Sequence, residues 1–93
     1  MEVVTKRIRP KWVSGLRPKL EELLDKGIDR GFLLGKGRIV RDMLEITELR
    51  FVEGTPKTGV RIQENEVEFL YPVSGSETFE DIYYPLLRML STL

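Results

Sequence analysis

The chain has 93 residues, of which 41% are hydrophobic and 32% charged, with formal charges that cancel. That length allows one domain with a modest core. The lack of any cysteine or histidine excludes disulfides, thiol catalysis, Cys/His zinc sites, haem ligation by histidine and every histidine-based triad.

In chain order, Val3-Val4-Thr5 favours an extended strand over residues 1–9, ended by Pro10. A basic group, Lys6, Arg7, Arg9 and Lys11, surrounds its end beside Trp12, which reads either as a nucleic-acid patch or as a solvated strand end. A helix follows. Ser14 is a suitable N-cap, and Pro18 falls in the first turn, where a missing N–H costs little. Leu16, Leu20, Leu23 and Leu24 form one apolar stripe, and Gly27 stands where a terminating glycine belongs.

Residues 30–34 (RGFLL) read as a buried strand. Strand, helix and strand with short links predict a parallel βαβ unit. Gly35-Lys36-Gly37-Arg38 then predicts a turn that opens a second helix, since Ile39, Met43 and Ile46 recur at helical spacing. A glycine-rich turn carrying Lys36 and Arg38 at a helix start suits an anion, although it has neither phosphate-loop nor dinucleotide spacing. The alternative is a glycine turn that only reverses the chain. The change from helix to strand is placed near Thr47, with Leu49–Val52 as a strand.

Gly54 to Gly59 is a loop by composition. Val60 and Ile62, then Val67, Phe69 and Tyr71, alternate with polar residues around Glu64-Asn65 and predict a tight hairpin. Ser74 and Glu77 have capping-box spacing, or Ser76 caps alone, ahead of a last helix. Its stripe is Phe79, Ile82, Tyr83, Leu86 and Leu90, and Leu87 adds to an apolar circumference that predicts a second covering surface, most simply a homodimer. Pro85 predicts a kink or break. The expected fold is α/β (α+β) in one domain, β-α-β-α-β-β-β-α, with a mixed sheet and three helices.

No catalytic set emerges, and no cofactor is called for. Glu64, Glu66 and Glu68 are the densest carboxylates and read as an acid/base pair, a Mg²⁺ site, or the charged guard of a hairpin. Residues 1–42 carry 11 Lys/Arg against 6 Asp/Glu, and residues 43–93 carry 4 against 9. This asymmetry reads as a basic face for nucleic acid, as faces that pair between subunits, or as charge that intermixes once folded. Gln and Asn occur once each, a thermophile-like balance. No apolar run reaches the roughly eighteen residues of a membrane span, and charge follows Met1 where a signal peptide would be apolar. A cytoplasmic protein is therefore the expectation.

The segments LEELLDKGIDRGFLL, ELRFVEG, TGVRIQENEVEFLYP and TFEDIYYPLLRML together resemble one half of a phospholipase-D-like domain, as used in sensor domains of TrmB-type archaeal transcription regulators. The catalytic HxK pattern is absent. The resemblance therefore implies a non-enzymatic ligand-sensing or dimerising module linked to transcription regulation, here through residues 79–90. The span LLDKGIDRGFLLGKGRIVRDMLEITELRF is similar to Alba-type chromatin proteins and to the sporulation protein SpoVS. That likeness covers about the first half and implies DNA or RNA contacts by Lys36 and Arg38, with Arg9 as a further contact and Lys11 in the same basic group.

Overall fold

Period-two alternation, running further than the apolar residues alone suggest, shapes most of this chain. A computed structural model describes residues 12–92. Its elements are β1 (Val13–Ser14), α1 (Leu16–Lys26), β2 (Gly31–Val40), β3 (Met43–Glu53), β4 (Gly59–Gln63), β5 (Glu66–Val73) and α2 (Phe79–Leu90). The strands form one mixed five-stranded sheet in the order β1-β3-β2-β5-β4. β1 runs parallel to β3, and every other pairing is antiparallel. The described residues make a small α+β domain with two helices. The strand expected over residues 1–9 lies outside the described residues.

The expected second helix is absent. Of the expected parallel βαβ unit, the first strand lies outside the described residues, and its second strand, within β2, is flanked on both sides by antiparallel strands. Gly35-Lys36-Gly37-Arg38 continues β2, and β2 turns back into β3 through Arg41-Asp42, with Arg41 at φ 58°. The alternation decides this. Gly31, Leu33, Gly35 and Gly37 face inward and are buried, whereas Lys36 and Arg38 face outward and are exposed. The helical spacing of Ile39, Met43 and Ile46 is a coincidence of two strands joined by a short turn. A bulge at Thr47 shifts the register, so that Lys36 pairs with Glu48 and Gly37 with Ile46. The Thr47 hydroxyl donates to the Lys36 carbonyl at 3.3 Å there.

Both helices cover one face of the sheet. Leu16 and Leu20 from α1 and Ile82, Leu86, Leu87 and Leu90 from α2 pack onto Leu33, Leu44, Ile46, Val67, Phe69 and Val73. Each such side chain, fully buried, contributes about 1.5–3 kcal/mol. Gly35 makes room for the largest of them: a β-carbon there would overlap the tip of the Phe69 ring paired opposite it.

The helix termini differ from the expected caps. α1 begins after Gly15, at φ 85° and with no side-chain cap, while Gly27 ends it at φ 87° as expected. α2 is capped by Thr78, not Ser74 or Ser76. The Thr78 hydroxyl accepts from the Asp81 N–H at 3.3 Å, and the Asp81 carboxylate accepts from the Thr78 N–H at 3.0 Å. Pro85 lies inside α2, which runs on to Leu90. A proline costs about 3 kcal/mol in an isolated helix interior, and burial of Ile82, Leu86, Leu87 and Leu90 on either side offsets it. In the hairpin turn, Glu64 rather than Asn65 takes the left-handed conformation, at φ 58°.

Ser74 and Glu77 do meet, as a turn ahead of α2. The Glu77 carboxylate accepts from the Ser74 N–H at 2.8 Å, the Ser74 hydroxyl at 2.8 Å and the Gly75 N–H at 2.9 Å. Partial burial pushes the carboxyl upward, but these donors outweigh it and hold Glu77 below the usual glutamate range. Nearby Tyr71 is raised, first by burial and then by the Glu77 charge. The folded state thus binds the Glu77 proton less readily than the unfolded chain. Its stabilisation is full above the ordinary glutamate pKa of about 4.3 and is lost as pH falls through the lower folded value. Glu77→Gln should cost about 1–2 kcal/mol near neutral pH. In urea titrations the gap to wild type should narrow as the pH is taken down to about 3, below the ordinary glutamate value; a gap independent of pH would contradict this account.

Candidate functional site: the open face of the sheet

Among the described residues the helices leave the other face of the sheet free, and its side chains form ordered rows; at the Phe32 end the loop between β3 and β4 lays the Lys57 ammonium over the Phe32 ring at 5.5 Å. β2 contributes Phe32, Leu34, Lys36 and Arg38, and the strand register fixes their neighbours. Phe32 stands between Val52 and Pro72, and Leu34 between Arg50 and Leu70. The next row reads Arg61, Glu68, Lys36, Glu48 across β4, β5, β2 and β3. The row after it reads Gln63, Glu66, Arg38, Glu45. One end of the face is therefore apolar and half-buried, and the middle is charged and exposed.

The charged rows are ordered in columns as well. β5 and β2 present single columns of opposite sign, Glu66 and Glu68 beside Lys36 and Arg38, about 4.8 Å apart as neighbouring strands are. β3 presents Glu45 and Glu48, and β4 presents Arg61. Despite this proximity, the single ion pair on this face among the described residues lies within β3, between Arg50 and Glu48 at 3.6 Å. A depression of about 310 Å³ opens among the charged rows, lined by Lys36, Arg38, Thr47, Arg61, Glu66 and Glu68 together with neighbouring residues.

Lys36 and Arg38 thus belong to this face, two residues apart on a strand rather than in a turn. Arg9 and Lys11 lie outside the described residues. The expected dimer surface divides. Ile82, Leu86 and Leu90 are 0% exposed and Leu87 is 7%, so these four are spent on the chain's own core. Phe79 and Tyr83 remain half-buried, stacked at 4.9 Å, with the Arg17 guanidinium across both rings at 5.0 and 4.8 Å. The second cover of α2 is therefore largely α1 and the sheet. Tyr84 is its exposed aromatic, at 54%.

The three glutamates separate. Glu64 occupies the β4–β5 turn, while Glu66 and Glu68 stand on β5 beside cationic columns. Among the described residues no three carboxylates gather as a metal site would need, and no helix is long and apolar enough to cross a membrane.

The sequence reading misses Arg61, Phe32, Leu34 and Leu70 as members of one surface. The period-two pattern of β2 places Lys36 and Arg38 on a common face. Which strands flank β2, and in which register, is a property of the pairing. Two apolar residues on the edge strand β4, Val60 and Ile62, are exposed at 41% and 47% on the helix side, beyond the helices' cover. No family model matches the chain, and no curated protein or solved structure matches it either.

Proposed function

We propose that this chain is a non-enzymatic assembly module whose working surface is the open face of the sheet. One observation carries the reading: half-buried apolar side chains adjoin rows of alternating charge on a face that neither helix covers and that the β3–β4 loop crosses only at Phe32, through Lys57. Surfaces of this composition, an apolar patch beside ordered charge, suit recognition of another protein surface. The side chains there are cationic, carboxylate or apolar, and they do not converge on a nucleophile–base pair. The reading retains the dimerising, non-enzymatic part of what the phospholipase-D-like resemblance implies.

A phosphate-binding reading draws on Lys36, Arg38 and Arg61 around the depression. Tracking a nucleic-acid backbone, however, requires a surplus of positive charge. Here Glu45, Glu48, Glu66 and Glu68 interleave with the cations.

Site-specific photo-cross-linking in cells that make the protein tests the proposal. A benzophenone amino acid in place of Leu34 should yield discrete protein adducts, and the same group in place of Asp25, exposed on α1, should not. Equal labelling at both positions, or none at Leu34, would refute the assembly reading. Nucleic acid recovered at Leu34 would favour the phosphate reading.

A further inference from the structure

Resting on that reading, we infer that the partner of the open face is a second copy of this chain, related by a two-fold axis running nearly along the strands between β2 and β5. The order of the charges carries this. With β1-β3-β2-β5-β4 as the strand order, such an axis lays β2 of one copy on β5 of the other, and β3 on β4. It also keeps every row on its own row.

Each charge then meets its opposite. Lys36 faces Glu68 of the second copy, and Arg38 faces its Glu66. Farther from the axis, Arg61 meets Glu48. Along the same axis the adjoining apolar row matches itself, Leu34 meeting Leu70, while Phe32 beyond it lies under Lys57 of its own chain. No like charges are juxtaposed between β2 and β5, and the two-fold makes every contact occur twice.

The geometry is that of aligned sheet packing. Two twisted sheets stack about 10 Å apart with strands crossing at about 30°, so the axis is inclined to the strands by about half that angle. The rows drift apart at the corners, and the pairs on β2 and β5 matter most. At that spacing the side chains of Lys36, Arg38, Glu66 and Glu68 interdigitate. The absence of an ion pair within 4 Å for these four among the described residues leaves their charged ends available to a second copy. Four strands about 4.8 Å apart over four rows bury on the order of 1,000 Å² in total, the lower end for a specific interface. The interface is accordingly of the small, low-affinity class and is weakened by salt.

Sedimentation equilibrium between about 10 and 500 µM, a range that brackets this low-affinity class, gives the test. Wild type should dimerise reversibly and less at high salt. Lys36→Glu with Arg38→Glu, and separately Glu66→Lys with Glu68→Lys, should each weaken self-association at least about tenfold. Mixing the two variants should restore the dimer as a heterodimer, because the two faces are again complementary. An edge-to-edge dimer through β4, or a helix-mediated one, would not respond in this way.

Should either variant fail to fold by circular dichroism, wild type mixed from isotope-labelled and unlabelled chains carries the test. Filtered NOEs between the methyls of Leu34 and Leu70 should cross between chains. A wild type that stays monomeric at about 500 µM in low salt, a dimer indifferent to the reversals, or no intermolecular Leu34–Leu70 NOE overturns the inference. If the Leu34 cross-linker then captures other proteins, the assembly face stands and only its partner changes. If it captures nothing, both readings fall.

Discussion

Gly35→Ala should destabilise the protein by about 3–4 kcal/mol, although alanine suits a strand interior better than glycine by about 0.5–1 kcal/mol. The added methyl would occupy the space of the Phe69 ring. Phe69 is 1% exposed and enclosed by the core, so the ring has no vacant volume to enter. Either the β2–β5 pairing opens or the ring is expelled, and both forfeit burial. Against a typical domain stability of 5–15 kcal/mol this is a large fraction. Gly59→Ala is the internal control, because a β-carbon at Gly59 meets nothing within 4 Å; it should be neutral or slightly stabilising. In urea unfolding, Phe69→Leu should recover part of the Gly35→Ala loss, giving a coupling of more than about 1 kcal/mol in a double-mutant cycle. Additive effects would show that the ring and the glycine do not share one space.

Leu86→Ala should cost about 3 kcal/mol, within the usual range of 2–5 for a fully buried leucine, and by the same amount at any low-micromolar protein concentration. Leu86 is 0% exposed, at the centre of the stretch of α2 that carries Ile82 and Leu90. Tyr84→Ala, on the outer surface of the same helix, should cost less than about 1 kcal/mol. Urea midpoints at two protein concentrations separate the alternatives. Were α2 instead an intersubunit helix, Leu86→Ala would give a folded monomer of nearly wild-type stability, and the wild-type midpoint would rise with concentration.

These two residues also mark where sequence reasoning succeeds and where it stops. The β4–β5 hairpin is legible because Val60, Ile62, Val67, Phe69 and Tyr71 alternate around a two-residue turn, and both helices are legible from their leucine stripes and Gly27. The glycines of β2 mislead. Gly35 and Gly37 read as turn residues because glycine usually serves backbone freedom, whereas here they serve a close approach across strands. At Gly35 that approach depends on Phe69 being opposite, and at Gly37 on the Glu45 carbonyl and Leu44 of β3, both tertiary facts. The apolar circumference of α2 misleads similarly: it registers burial on two sides but not that α1 and the sheet provide both. Lys36 and Arg38 are legible as an outward cationic pair once β2 is a strand. The columns around them arise only when β5 and β3 flank it.

The order of the strands also bears on how the chain reaches this state. β2 with β3 and β4 with β5 are local hairpins, each closed by a turn with one left-handed residue, Arg41 and Glu64. Such units form in microseconds. The seam between β2 and β5 joins Gly31 to Val73 at one end and Arg38 to Glu66 at the other, so it must close most of the intervening chain before it gains any contact. Closure of this seam is therefore the expected slow step, and Phe69→Leu, in the middle of the seam opposite Gly35, should slow folding more than it speeds unfolding in stopped-flow urea chevrons.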